Sequence, residues 1–323
     1  ITRLEADISY LGLSEADFAE NPYSRYAASR EDVLHADHDR TYLRYALRLG
    51  PDWNLSWTGY YKHFHRNWYK LNDIRDLDLD GDGLTEGQTG GAPVRMGLSE
   101  AIAGAEAGSG LEALKGERAA LFRVRANNRD YRMAGSELIV RGNLESGEWS
   151  HQPRLGIRYH DDRIRRYQWH DLYAQDRSGA WGAPTQSVRG SDGNRRQETR
   201  STAFYLEDEM SNDRWIIRPG IRFEYLQLAY EEFATDGSGE QLADEEKDMT
   251  VGAAGIATTY LMDEQSALFF NLYRGFSVPD PRSAINGGIE EEVSNTAEVG
   301  LRRRSSRGAF SGELVAFYTH YRD

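Results

Sequence analysis

The sequence predicts an all-β protein: the wall of an antiparallel transmembrane β-barrel with about eleven strands. Three observations carry that prediction. Apolar residues alternate with charged ones at a period of two. Several alternating runs are longer than the roughly 5–6 residues usual for soluble strands and reach the roughly 9–11 that a tilted strand needs to cross a bilayer. The connections between runs are short and long by turns.

Thr41, Leu43, Tyr45, Leu47 and Leu49 alternate with Tyr42, Arg44, Ala46 and Arg48, a strand with one apolar and one wet face. The pattern returns at Leu155, Ile157 and Tyr159 against Arg154, Arg158 and His160. It returns again at Trp215, Ile217, Ile221 and Phe223 against Arg218, Arg222 and Glu224. Weaker copies fall at Phe204 and Leu206, at Leu268, Phe270 and Leu272, and at Phe310, Leu314 and Tyr318. Pro219 interrupts one run and has no N–H to donate, which predicts a local bulge there.

Short turns are expected near Gly50-Pro51-Asp52, Glu145-Ser146-Gly147-Glu148, Ser211-Asn212-Asp213, Met262-Asp263-Glu264-Gln265 and Ser305-Ser306-Arg307-Gly308. Long polar segments lie between them, near 12–38, 70–128, 170–198, 232–246 and 276–290. Sorting of loop lengths by end is the habit of outer-membrane barrels, whose long loops lie outside the cell. Trp53, Trp57, Trp149 and Trp215 sit close to the short turns, where an interfacial aromatic girdle belongs. Two loops carry local structure: Ser14-Glu15-Ala16-Asp17 reads as a capped helical turn, and Ser99–Leu121 as a short helix broken at Gly104 and Gly108.

Composition agrees and narrows the function. The 19 Tyr, 11 Phe and 7 Trp beside 32 Gly and 8 Pro suit strands and tight turns. A mean hydropathy of −0.71 is compatible with a membrane barrel, since only alternate strand residues need be apolar. A net charge of −13 disfavours nucleic acid as partner. The absence of cysteine removes disulfides, zinc–thiolate sites and thiol nucleophiles. No G-x-S-x-G elbow, P-loop, H-E-x-x-H or dinucleotide fingerprint occurs, so an enzyme is not expected.

Three stretches stand out early in the chain, Tyr10-Leu11-Gly12-Leu13-Ser14-Glu15-Ala16-Asp17-Phe18, Phe64-His65-Arg66-Asn67-Trp68-Tyr69 and Asn127-Asn128-Arg129-Asp130-Tyr131. Four more follow in order, Ala203–Asp208, Arg218–Glu224, Asn271–Pro279 and Glu292–Gly300. Through them nearly the whole chain resembles the TonB-dependent receptors, most closely their ferric dicitrate receptor branch. The resemblance implies part of a 22-stranded, plugged barrel that imports a ferric chelate across the bacterial outer membrane, with energy from the TonB–ExbB–ExbD complex. All of residues 1–323 would be barrel, with the plug domain and late strands absent from this sequence. No cofactor is implied; the ferric chelate is cargo, and outer-membrane lipid surrounds the wall.

A carboxylate-rich chelate calls for arginines, whose planar forks hold carboxylates bidentately. Arg66 and Arg129 match arginines that contact ligand in the ferric citrate branch. A third maps near Arg195 or Arg196, with Arg196 carried forward although Gly193 is the ungapped match. Separately, Asp78, Asp80 and Asp82 with Gly83 and Glu86 read as the opening of a calcium loop, in an extracellular position, with Thr89 where a bidentate Glu usually stands. His63 and His65 share a strand face at a spacing that suits a metal, with His35 and His38 nearby. Rival readings are a receptor for another siderophore, an oligosaccharide or a peptide, a passive porin or surface-assembly barrel, and a soluble carbohydrate-binding domain.

Overall fold

The computed structural model describes residues 1–103, 107–305 and 309–322. Its strands are β1 (Thr2–Ala6), β2 (Val33–Arg48), β3 (Trp53–Leu77), β4 (Met96–Gly97), β5 (Ala120–Gly142), β6 (Leu144–Ser146) and β7 (Trp149–Gln175). There follow β8 (Thr185–Gln186), β9 (Gly193–Ser211), β10 (Trp215–Phe233), β11 (Gln241–Asp263), β12 (Ser266–Ser277), β13 (Glu292–Arg304) and β14 (Ser311–Arg322). Eleven of them form one antiparallel path, β1-β2-β3-β5-β7-β9-β10-β11-β12-β13-β14, with the three short strands pairing on its flanks. Each path strand pairs with its sequence neighbours and the path does not close on itself.

Residues directly opposite each other in an antiparallel pair project to the same face, so the register sorts the whole wall into two faces. Trp57, Leu138, Ile157, Phe204 and Phe223 stand on one rung. Leu155, Phe204 and Phe223 are 56%, 54% and 57% exposed, which makes this the lipid-facing side. One aromatic girdle of that face, Trp53, Trp149, Trp215 and Tyr260, lies by the short turns. A second, Tyr61, Tyr159 and Tyr225, lies 8–10 residues further along β3, β7 and β10. Ten residues of a strand tilted by about 40° rise roughly 25 Å, the height of an outer-membrane apolar band.

The strands run on well past the upper girdle; β7 alone has 27 residues. There the outer face turns ionic, with Asp130, Arg132, Asp161, Arg163, Arg165, Arg196, Glu198 and Glu231 on successive rungs. This overrun corrects the predicted long loops: those observed span residues 7–32, 78–119, 176–192, 234–240 and 278–291. Above the bilayer no lipid imposes alternation, so Lys70, Asn72, Asp73 and Arg75 lie in a strand with no regular apolar pattern to reveal it, while its Leu71, Ile74 and Leu77 are buried.

The first two loops build a cap. Phe122 and Val124, outer-face by register, are completely buried beneath Tyr26, Ala28, Ala113 and Leu114. The capped turn forms as predicted: α1 (Glu15–Glu20) starts at Ser14, whose Oγ accepts from the Asp17 amide at 3.2 Å. The predicted 99–121 helix is instead α2 (Leu98–Ala103) and α3 (Ala107–Lys115), so Gly108 lies within a helix and does not break it. Gly104 falls outside the described residues. Gly116 (φ +91) ends α3, and Ala120 already begins β5. Of the five predicted short turns, only that at Ser305–Gly308 lies partly outside the described residues.

Lys115 locks the cap by donating to Asp17 Oδ1 at 2.6 Å, while the Tyr26 hydroxyl donates to Asp17 Oδ2 at 2.8 Å. The Lys115 bond, then those of Ser14 and Tyr26, lower the Asp17 pKa from 3.8 to about 2. A depressed carboxyl stabilises the fold above its ordinary pKa, and that contribution is lost as pH falls from about 4 towards 2. Amide exchange across residues 14–26 is therefore expected to accelerate in that window, and Asp17→Asn to remove most of the pH dependence. A pH-independent wild type would dismiss the latch.

The bulge expected at Pro219 is absent. Pairing with β9 lapses at Arg218 and Pro219 but the register on both sides is unchanged, because the long ladders flanking the proline hold the strand in place. The bulges of the wall lie elsewhere, at Leu71/Asp73 and Ile74/Asp76 of β3, Glu232/Phe233 of β10 and Leu261/Asp263 of β11.

Candidate functional site

The inner face above the apolar band carries a row of like charges. Arg66 of β3 lies opposite Arg129 of β5, Arg129 opposite Arg166 of β7, and Arg166 opposite Arg195 of β9. At about 4.8 Å between neighbouring strands the row spans roughly 14 Å. Like charges directly opposite destabilise a sheet, so an uncompensated row of four needs an explanation. Among the described residues none of these arginines is in an ion pair, and the Nε of each is buried with no hydrogen-bond partner.

The rungs on either side are aromatic or amidic. Phe64 stacks on Tyr131 below the row, ring centroids 5.7 Å apart. Above it Tyr10 meets Trp68 edge-on at 5.5 Å, and Lys70 Nζ stands 3.0 Å from the Tyr10 ring centroid. One rung higher, Arg125 pairs with Asp192 at 3.2 Å and His170 Nδ1 lies 2.8 Å from the same carboxylate, so that rung holds an acid where the row holds none. On the far side, α4 (Pro281–Asn286) folds onto the inner face. Its Ala284 packs against Leu226, Leu228, Met249 and Val251, and its N-cap Asp280 accepts from Gln197 Nε2 at 2.6 Å. Near the short-turn end a concavity of about 740 Å³ also contains arginines, but Arg154 pairs with Glu207 at 2.8 Å and Arg218 with Glu209 at 2.6 Å.

The structure thus brings Arg66 and Arg129 side by side. It places Arg196 on the opposite face, paired with Glu231 at 2.8 Å, and puts Arg195 in the row instead. Arg166 was missed. The available signal was the run Arg163-Ile164-Arg165-Arg166, but only the register shows that Arg166 alone of these arginines faces inward.

Asp78, Asp80 and Asp82 do converge, with carboxylate oxygens within 4.8 Å of one another. They supply three of the roughly six to eight oxygens calcium takes. Asp78 already accepts from the amides of Gly81 and Gly83 at 2.6 and 2.9 Å. Glu86, the fourth predicted ligand, accepts from the Leu79 amide at 3.2 Å. His63 and His65 share the outer face but part company, His63 to Asp130 at 2.5 Å and His65 to Asn128 at 2.7 Å. His35 lies by Glu5 at 3.5 Å and His38 against the Phe64 ring.

A wall with an exposed apolar band outside, charge inside and a row of arginines towards its long-loop side has the architecture of an outer-membrane barrel. The profile of the TonB-dependent receptor-like β-barrel family matches residues 5–323, and the chain belongs to that family of outer-membrane receptors. Its fold is similar to that of the ferric citrate transporter FecA in the unliganded form, at 19% identity and a TM-score of 0.65 over 98% of this chain. The ferric-catecholate import receptor Fiu of E. coli K12, open form, gives 13%, 0.64 and 97%. The ferric preacinetobactin receptor BauA of Acinetobacter baumannii gives 12%, 0.56 and 95%. The chain spans 39%, 45% and 40% of those structures respectively, and at such identities the likeness shows the fold alone.

Proposed function

We propose that the receptor containing this chain imports an anionic, carboxylate-rich ferric chelate of the ferric citrate type, driven by the TonB–ExbB–ExbD complex. The observation that supports this reading is the inner-face row Arg66, Arg129, Arg166 and Arg195, four guanidiniums with no counter-ion among the described residues. A polycarboxylate supplies what the row lacks, several anionic acceptors spread across neighbouring strands, and a planar guanidinium can take each as a fork. The position on the long-loop side suits capture from the medium.

Titrating the complete receptor with ferric citrate tests the reading, with Arg66→Ala beside wild type. Binding by wild type and a loss in the variant is expected. A wild type that ignores ferric citrate removes the cargo assignment, and equal binding by both removes the site. Uncharged oligosaccharides or peptides that bind with no dependence on Arg66 would favour a non-iron nutrient on the same scaffold.

A further inference from the structure

The row of arginines has a phenol directly beneath it, and that phenol is unlike the other tyrosines of the inner face. Tyr131 of β5 stands two residues from Arg129 on the same face, in the rung below the row, opposite Phe64 and Ile164. Its ring stacks on Phe64 with an interplanar angle of 29°, which limits where the hydroxyl can go. Further along the same rung, past Gln197 of β9, stands Tyr230 of β10.

Elsewhere on this face the tyrosines have an acceptor. Tyr205 donates to Glu137 and Tyr273 to Glu298, each at 3.1 Å, and Tyr60 meets His160 Nδ1 at 2.6 Å. Tyr230 is fully buried, with Arg282 of α4 over its ring at 6.0 Å; burial, then the neighbouring Glu232, hold its phenol above the usual tyrosine value. Tyr131 differs on both counts. It is only half-buried, and its hydroxyl lies against Arg129 and Arg66, guanidiniums that donate and cannot accept. Burial pushes this phenol up, but hydrogen bonding from Arg129 and the charges of Arg66 and Arg129 outweigh it and hold the phenol below the usual tyrosine value.

An oxygen whose anion is stabilised by two guanidiniums suits a hard trivalent cation, and tyrosinate is a known ligand of ferric iron in haem proteins. The inference rests on the cargo proposed above. A ferric carboxylate chelate whose carboxylates sit in the forks of Arg66 and Arg129 brings its iron close to the hydroxyl that those same forks touch. Such chelates leave positions on iron to water, which a stronger oxygen donor displaces. We propose that Tyr131 is a metal-ligating residue of the vestibule, coordinating the ferric ion of the bound chelate through its phenolate oxygen. The Tyr131 O–H bond breaks, an Oη–Fe bond forms in place of an Fe–water bond, and the proton leaves on the displaced water as hydronium. Iron stays ferric throughout, so neither oxidant nor reductant takes part. The receptor then favours chelates with an exchangeable position on iron over those whose own six donors close the coordination sphere.

The test titrates the complete receptor in detergent with ferric citrate and, in parallel, with gallium citrate, recording visible absorption alongside binding. Gallium(III) matches iron(III) in charge and size but has a filled d shell, so it binds without accepting charge from a phenolate. Wild type is expected to develop a phenolate-to-iron charge-transfer band in step with ferric citrate binding, and no band with gallium citrate. Tyr131→Phe keeps the ring against Phe64; it is expected to bind ferric citrate without the band and to release about one proton fewer per iron bound. Ferric citrate bound by wild type with no band, a band undiminished in Tyr131→Phe, or a variant that binds neither chelate overturns the proposal. A wild type that binds neither chelate removes the cargo assignment itself, and this inference with it.

Discussion

Replacing Arg129 with alanine is expected to weaken binding of a ferric carboxylate chelate by roughly ten- to a hundredfold, the cost of one charge-assisted hydrogen bond of about 1.5–3 kcal/mol. Replacing Arg129 and Arg166 together is expected to reduce it further than the two single effects predict. They are neighbours in one row, and a ligand carboxylate that bridges them loses both of its forks at once. Arg196→Ala supplies the control. Its guanidinium faces outward and pairs with Glu231, so binding is expected to stay within a factor of about two of wild type. The adjacent Arg195→Ala should instead weaken it as Arg129→Ala does. Two consecutive arginines thus predict opposite results, and a ligand that responds to Arg196 and ignores Arg195 would refute the register on which the site rests.

Gly156→Ala is expected to lower the stability of the barrel by about 2–4 kcal/mol, combining overpacking with a broken, partly buried hydrogen bond. Gly156 lies opposite Tyr205, and a Cβ placed on it would overlap the Tyr205 ring. That ring lies across β7 at the glycine so that its hydroxyl donates to Glu137 on β5, two strands away, at 3.1 Å. Lifting the ring off the wall breaks this bond and leaves Glu137 unpaired on the inner face. The same device recurs beside it. Tyr60 crosses β5 over Gly135, where a Cβ would again overlap the tyrosine, and reaches His160 Nδ1 on β7 at 2.6 Å. Unfolding of Gly156→Ala by denaturant in detergent, compared with Tyr205→Ala and the double variant, separates the steric part. Once the ring is gone the alanine should cost little, and an equal penalty with or without Tyr205 would mean that the glycine serves some other purpose.

The parts of this molecule legible from its residues are those where lipid imposes a rule. Leu155, Ile157 and Tyr159 had to alternate with polar neighbours because one side of β7 meets hydrocarbon, and Trp149 and Trp215 had to fall near the short turns because that is where hydrocarbon ends. Beyond the bilayer the rule lapses, and Lys70–Leu77 and Arg123–Asn128 passed for loop although each extends a strand. The cap was visible only as a capped turn and an alanine-rich run. Nothing in the sequence of residues 11–28, 96–103 and 109–114 states that they pack together on the outside of β5, since that depends on which apolar residues the strands leave uncovered.

The vestibule shows the division most sharply. Arg66 and Arg129 stand out in the sequence because each lies in a family-like stretch, whereas which of Arg195 and Arg196 shares their face, and that Arg166 does, depends on pairing. Strand side chains alternate faces with each residue, so a shift of one position exchanges inside for outside. Sequence by itself pointed to a membrane-spanning antiparallel wall, because alternation of greasy and charged residues in runs long enough to cross a bilayer suits lipid on one face and water on the other. Tertiary structure alone decided which charges meet, because facing partners lie up to 89 residues apart, as Trp53 and Gly142 do, and are fixed by backbone hydrogen bonds that no local run of residues encodes.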